Sequence, residues 1–289
     1  MARKNARIAA AAKSASAKSV ARKSPARSAA AKATAKVAKS DLGRAYLDNV
    51  QAKLQQVERT QAAAIAQAGA MIADAYEQDR LIHVYGGGGH TVMMVFEMFF
   101  RAGGLANINP ILGHDISPMC QALKYLEVER STGYGACLVR YYELAKDDLM
   151  IIFHNIGYNP TTIDAAMEAK ARGAKIIAVS SSDWAKKLPL DHHIRHPGRK
   201  HLFEFADLKI DDANPFGDAD FFVPGFDVPV APTSTIVDAF IAHRMVMEAV
   251  AEMNRRGLEP PIFRSANLPG GDEFNARLLK RYKPRVKGL

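Results

Sequence analysis

Four consecutive glycines, Gly86–Gly89, close the apolar run "LIHVY" and open a second apolar stretch, "HTVMMVFEMFF". That stretch carries His90, Met94, Glu97 and Arg101 at i, i+4, i+7 and i+11, which sets three ionisable groups along one face of a helix. Imidazole, carboxylate and guanidinium are groups that move protons and orient anions. A carboxylate among apolar neighbours such as Val95, Phe96 and Phe99 is suited to act as a base. The same residues also fit a plainer arrangement, a Glu97–Arg101 ion pair on a solvated stripe. The glycines likewise have two readings. They make a tight turn, or they bare backbone N–H groups at a strand–helix junction, where an anion or a polar ligand can lie close to the chain. The dinucleotide fingerprint G-x-G-x-x-G fails, because Thr91 stands at its third glycine position, and the P-loop pattern fails for want of Gly-Lys-Ser/Thr.

Such a group needs rigid elements to hold it. Leu47, Val50, Leu54 and Val57, followed by Ile65 and Ile72, step at helical spacing and predict one long amphipathic helix or two in succession. "LIHVY" is then a strand, and a helix runs from Thr91 to Ala102 before Gly103–Gly104. "INPIL" reads as a short strand, with helical segments near 119–130 and 136–146. "LMIIF" (149–153) is apolar throughout, as a strand buried on both faces is. "HNIGYNP" turns the chain, with Asn159 placed to cap the next helix and Pro160 at its first position. "KIIAVS" (175–180) and "DLKID" are further strands, and another loop and strand lead to a long helix from Thr233 to Arg256. A loop and a short amphipathic helix follow. Alternating strands and helices imply a mostly parallel sheet covered on both sides, which binds ligands at the carboxyl ends of its strands. The loops opening at Gly86, His154, Ser180 and Thr233 are therefore where a site belongs.

Charge divides the 289 residues into two parts. Residues 1–40 hold eleven Lys/Arg and no Asp or Glu, so the net +9 resides entirely there and the rest of the chain is nearly neutral. With almost nothing large to bury, this stretch reads as a disordered arm, separate from a single domain over 41–289. Dispersed lysines and arginines also suit nonspecific nucleic acid or another polyanion, and the composition is shared by organelle transit peptides. Only Cys120 and Cys137 are present, which points to a reducing, cytoplasmic compartment rather than a disulfide framework. No apolar run is long enough for a membrane span.

The blocks "GGGGHTVMMVFEMFFRAGGLANINPIL", "IGYN", "RHPGRKHLFEFAD", "NPFGDA", "PTSTIVDAF" and "GLEPPIFRSANLPGGDEFN" together resemble the sugar isomerase (SIS) domain, nearest to an uncharacterised bacterial subfamily of it. The resemblance covers roughly 42–277. It implies an α/β, flavodoxin-like three-layer αβα sandwich with a mostly parallel five-stranded sheet, a homodimer, a sugar or sugar-phosphate ligand and no cofactor. The expected activity is aldose–ketose isomerisation through a cis-enediol, with Glu97 as base, His90 at ring opening or at the carbonyl, and Arg101 orienting Glu97 or an anionic group. A catalytically idle sugar-phosphate-binding or regulatory module is the alternative. The resemblance implies that the ligand lies against Gly87, Gly88, Gly89 and Thr91. His154, Asn155, Gly157 and Asn159, then Ser180, Ser181 and Ser182, then Thr233, Ser234 and Thr235 would complete the binding surface. Two departures stand out. The Ser-x-Ser-Gly turn that holds phosphate in typical members reads His154-Asn155-Ile156-Gly157, and Met119-Cys120 stands where the subfamily tends to carry His-Glu. Histidines leave two metal arrangements open, His90 with His154 and Glu97, or the loose set His192, His193, His196 and His201; neither has a recognised ligand spacing.

Overall fold

The computed structural model describes residues 41–289, the side chains at 119 and 120 excepted. The basic arm over 1–40 and the Met119-Cys120 departure thus lie outside the described residues. Five strands, β1 (Ile82–Gly86), β2 (Ile108–Ile111), β3 (Leu149–Phe153), β4 (Lys175–Ser180) and β5 (Leu208–Asp211), form one sheet in the order β2-β1-β3-β4-β5. Every pairing is parallel, with Ile82 beside Ile108 and Leu149, and Ile151 beside Ile177. This is the flavodoxin-like order, and its direction reverses between β1 and β3.

Side-chain alternation along the strands feeds two cores. Val84, Ile151 and Ile177 point to one face, where α1 (Leu42–Glu77), α2 (Val92–Met98) and α7 (Ser234–Arg255) supply Ile65, Ile72, Val95, Ile241 and Met245. Tyr85, Ile152 and Ala178 point to the other, against Val139 of α4 (Tyr134–Tyr141) and Ile163 and Ala166 of α5 (Pro160–Ala171). Ile151 and Ile152 are each fully buried, and such burial contributes about 1.5–3 kcal/mol per side chain. Both faces of the strand are therefore apolar for the same reason. The remaining helices are α3 (Pro118–Glu129), the six-residue α6 (Ser182–Lys187) and α8 (Gly271–Tyr282), whose Leu278 and Tyr282 close a small core with Ala106 and Phe263.

The first helix is a single element of 36 residues, capped by the Asp41 carboxylate accepting from the Arg44 N–H at 3.0 Å. It lies so close to α7 that a Cβ on Gly69 would sit 2.5 Å from Glu248 Cβ. Two expectations are corrected. The helix expected over Thr91–Ala102 stops at Met98, because Phe99 is extended and Phe100 takes a φ of 45°. The cause is tertiary: Phe100 packs edge-on to Phe263 at 5.3 Å, and Phe263 exchanges backbone hydrogen bonds with Gly103 and Gly104. The strand expected between β5 and α7 is only an isolated antiparallel bridge, Phe221 to Val230.

Candidate functional site

The site forms where the sheet order reverses, at the carboxyl ends of β1 and β3. After β1 the Gly87 N–H still donates to the Phe153 carbonyl at 3.2 Å, so the chain stays on the sheet for one more residue. It then turns through Gly88 (φ 132°) and Gly89 (φ 58°), conformations that favour glycine. The glycines answer mostly to the protein itself. A Cβ on Gly86 would fall 2.3 Å from the Thr91 carbonyl oxygen, and one on Gly87 would fall 1.8 Å from Thr162 Oγ1. Over Gly88 and Gly89 lie Glu129 and Tyr125 of α3, with Tyr125 Oη 2.8 Å from where a Gly89 Cβ would be.

Beside this turn is a cavity of about 170 Å³. Gly88, Gly89, His90 and Thr91 make one wall and His154, Asn155 and Ile156 the opposite one. Tyr125 and Glu129 roof it, while Trp184, Asp218 and Ser234 close the far side. A larger hollow of about 490 Å³ lies at the amino ends of β1, β2 and β3, lined by Arg80, His83, Asn109, Asp148, Arg285 and Lys287 among others. Its cations are already engaged, Arg80 with Asp148, Arg285 with Asp79 and Lys287 with Glu143. Size alone does not make it the site, since the switch point and the unengaged polar groups are at the other end.

Two polar arrangements reach the cavity, one through Glu129 and His154 and the other through Asn155. In the first, the buried Glu129 carboxylate accepts from Asn159 Nδ2 and faces His154 Nε2 at 3.6 Å. His154 Nδ1 accepts from the Gly157 N–H at 2.8 Å, so in the neutral ring the proton sits on Nε2, toward Glu129. Burial, then the Glu129 charge, pushes the Tyr125 phenol far above its ordinary range. The capping role expected of Asn159 is not adopted: it is the residue before α5, but its Nδ2 donates to Glu129 and its Oδ1 has no partner among the described residues.

In the second arrangement Asn155 Nδ2 donates to Asp212 Oδ2 at 2.7 Å and to Asp238 Oδ2 at 2.9 Å. Burial pushes both carboxyls up, Asp212 to about 7; the Asp212 charge raises Asp238 further, while the Asp211 charge adds to the rise of Asp212. Asp212 also accepts from the Asn214 N–H, whereas Asp238 Oδ1 has no partner among the described residues. Asp212, which accepts the more hydrogen bonds, ionises the more readily of the two, so the proton that the pair keeps longest is on Asp238.

The expected residues are distributed unevenly. Gly88, Gly89, His90, Thr91, His154, Asn155 and Ser234 line the cavity, with His90 exposed at its rim. Gly87 is underneath, its carbonyl accepting from Thr161 and Thr162, and Gly157 serves His154 from behind. The serines after β4 are turned away. Ser180 Oγ donates to the His154 carbonyl at 2.7 Å, Ser181 Oγ to the Asn214 carbonyl at 2.6 Å, and Ser182 Oγ to the Asp211 carboxylate. Thr233 is buried without a hydroxyl partner among the described residues, and Thr235 is half-buried and outside the lining.

Glu97 and Arg101 are not brought into the cavity. Glu97 accepts from Arg101 at 2.6 Å and pairs with His243 Nε2 at 2.7 Å on the outer side of α2, while Met94 of the same expected stripe is in the core. The solvated ion pair is the arrangement adopted. Among the described residues no three His, Cys, Asp or Glu groups converge as a metal site. His196 pairs with Asp164, and His201 caps a turn by accepting from the Phe203 N–H. Burial, followed by the nearby His154, lowers His201 to about 4. Glu129, Tyr125, Trp184 and Asp218 were absent from the sequence expectation. The one local signal for the first two was their i, i+4 spacing on the helix expected over 119–130.

The sequence profile of the SIS domain matches residues 45–181. A UPF0309 protein of Thermoanaerobacter pseudethanolicus is 35% identical over 248 residues, covering 84% of this chain and 98% of that protein. A second, from Halalkalibacterium halodurans, is 34% identical over 242 residues, with 84% and 95% covered. Among solved structures, a phosphoheptose isomerase from Francisella tularensis superposes with a TM-score of 0.49 at 12% identity, over 74% of this chain and 100% of that one.

Proposed function

The chain belongs to the UPF0309 family of SIS-domain proteins, and on that premise we propose that the cavity beside the glycine turn binds a sugar or sugar phosphate and interconverts its aldose and ketose forms. One observation carries this reading: a buried carboxylate, Glu129, faces an imidazole N–H, His154 Nε2, across 3.6 Å inside the cavity. Glu129 removes the proton from the carbon next to the carbonyl and returns it to the neighbouring carbon through a cis-enediol, with no net redox change. The His154 N–H donates to the carbonyl oxygen as negative charge develops there and gives up that proton to O1, then takes back the proton that O2 loses as the new carbonyl forms. Asn159 holds the Glu129 carboxylate in one orientation. His90 at the rim assists ring opening. The role of base thus passes from Glu97 to Glu129, because only Glu129 reaches the cavity of this chain.

Solvent exchange tests it. With a turned-over sugar in deuterated water, the wild type incorporates deuterium at C2, and Glu129→Gln loses at least about a hundredfold of that rate while binding within about tenfold. Binding without exchange in the wild type would favour the alternative, a non-catalytic binding or regulatory module. We further propose that the protein is a homodimer, that residues 1–40 form a separate arm able to hold polyanions such as nucleic acid, and that the protein is cytoplasmic. The arm's charge and the two cysteines support the last two. No described helix is long and apolar enough to cross a membrane.

A further inference from the structure

We propose that the sugar this cavity holds carries no phosphate: it is a free sugar, its C–H face laid on Trp184 and its hydroxyls donated to the carboxylates of Asp218 and Glu129. The inference rests on the sugar-binding reading above and narrows it to a substrate class.

Charge is the first ground. Among the described residues lining the cavity there is no Lys or Arg, and the charged groups are the two carboxylates, with His90 and His154 as the imidazoles. A sugar phosphate brings a charge of about −1.5 to −2 at neutral pH. Seated here it would meet like charge in a partly enclosed space, where repulsion is stronger than in water. Hydroxyl supply is the second ground. Ser180, Ser181 and Ser182 have already given their hydroxyl protons to the His154 carbonyl, the Asn214 carbonyl and Asp211, so none of these three is left for phosphate oxygens, and only Ser234 offers a hydroxyl from the lining itself. The glycine turn, the remaining anion seat, is covered by Glu129, whose Cγ would be 3.1 Å from a Cβ on Gly88. The amino end of α7 at Ser234 does favour an anion, but only by a partial charge.

The groups left open complement a neutral sugar. Trp184 Nε1 and Asp218 Oδ1 are both buried without a partner among the described residues, and both residues line the cavity. Buried polar atoms of this kind are normally satisfied, so they mark where a ligand's own donors and acceptors belong. A carboxylate only accepts, and sugar hydroxyls donate. The electron-rich face of an indole attracts the C–H bonds that line one side of a sugar ring.

Trp184 is the single tryptophan of the chain, so its emission reports occupancy of this cavity and no other. The experiment titrates the full chain with free pentoses, hexoses and heptoses, each beside its own terminal phosphate ester, and with inorganic phosphate alone. The expected result is that at least one free sugar shifts Trp184 emission with a Kd about tenfold or more below that of its ester, a difference of about 1.4 kcal/mol. Asp218→Asn should narrow that gap by strengthening the ester, and inorganic phosphate should leave the emission unchanged. An ester that binds more tightly than its free sugar overturns this inference and leaves the sugar-binding reading standing. Silence from free sugars and esters alike overturns both.

Discussion

Asn155 holds together two carboxyls that burial keeps above the usual carboxylate range, and this arrangement gives the protein a pH signature. Both carboxyls keep their protons in the folded state above the pH near 4 at which the unfolded chain releases them, so the pair's contribution to stability is complete below that pH and is lost as pH rises, that of Asp212 through about 7. His201 works the other way: its folded value near 4 lies below the unfolded 6.5, so its contribution is gained as pH rises between those values. Comparison with Asp238→Asn separates the two, because the amide cannot ionise. The variant's melting temperature should exceed that of the wild type increasingly from pH 5 to pH 8, and a constant difference across that range would count against the proton on Asp238. A second substitution concerns Glu97, a quarter exposed and paired with Arg101 and His243. Its loss in Glu97→Gln should lower stability in urea by no more than about 1 kcal/mol, the ordinary yield of a surface pair, and leave C2 exchange intact. The i, i+4, i+7 spacing at Glu97 does not hold as one face: the helix spans only Val92–Met98, His90 precedes it, Met94 is in the core and Glu97 is on the outer side. Glu129 escaped notice because its role depends on α3 approaching the glycine turn, a contact between segments far apart in the chain.

Among the elements, β1, β3 and β4 are legible because strands buried on both faces are mostly apolar: "LMIIF" is so throughout, β4 is so between Lys175 and Ser180, and β1 is broken only by His83. The long α7 was legible to within a residue at each end. The end of α2 was not, because Phe99 and Phe100 carry no local stop signal and Phe263, which draws Phe100 out of the helix, is remote in sequence. The β1–α2 turn gives the prediction that belongs to this scale. A methyl group at Gly87 has no room beside Thr162 Oγ1 and His154 Cδ2, so Gly87→Ala should destabilise the fold by about 1–3 kcal/mol in chemical denaturation. Because the displaced groups adjoin His154, sugar binding should weaken with it. Unchanged stability would mean that the turn has slack which the contact distances do not show.

For the whole molecule, the described residues 41–289 enclose both main cores, so removing residues 1–40 should leave the melting temperature unchanged. Retention on immobilised nucleic acid at low salt should disappear with the arm. Apolar surface remains on two neighbouring helices that Glu97 and His243 tie together: Met93 and Phe96 on α2, and Met247, 59% exposed, on α7. Exposed apolar groups so placed suit a contact with a second copy. Light scattering should return the mass of a dimer, and Met247→Glu should shift it toward the monomer; a wild-type monomer would remove the proposal. The close approach of α1 to α7 at Gly69 has a further consequence, for the chain as it is made. The apolar side of α1, with Ile65 and Ile72, is synthesised long before the α7 surface that covers it, so the nascent chain presents a sticky helix throughout translation of the sheet. In the finished protein neither helix can lift without baring the other, and the backbone amides in the middle of α1 and α7 should exchange with deuterium in one joint opening rather than two.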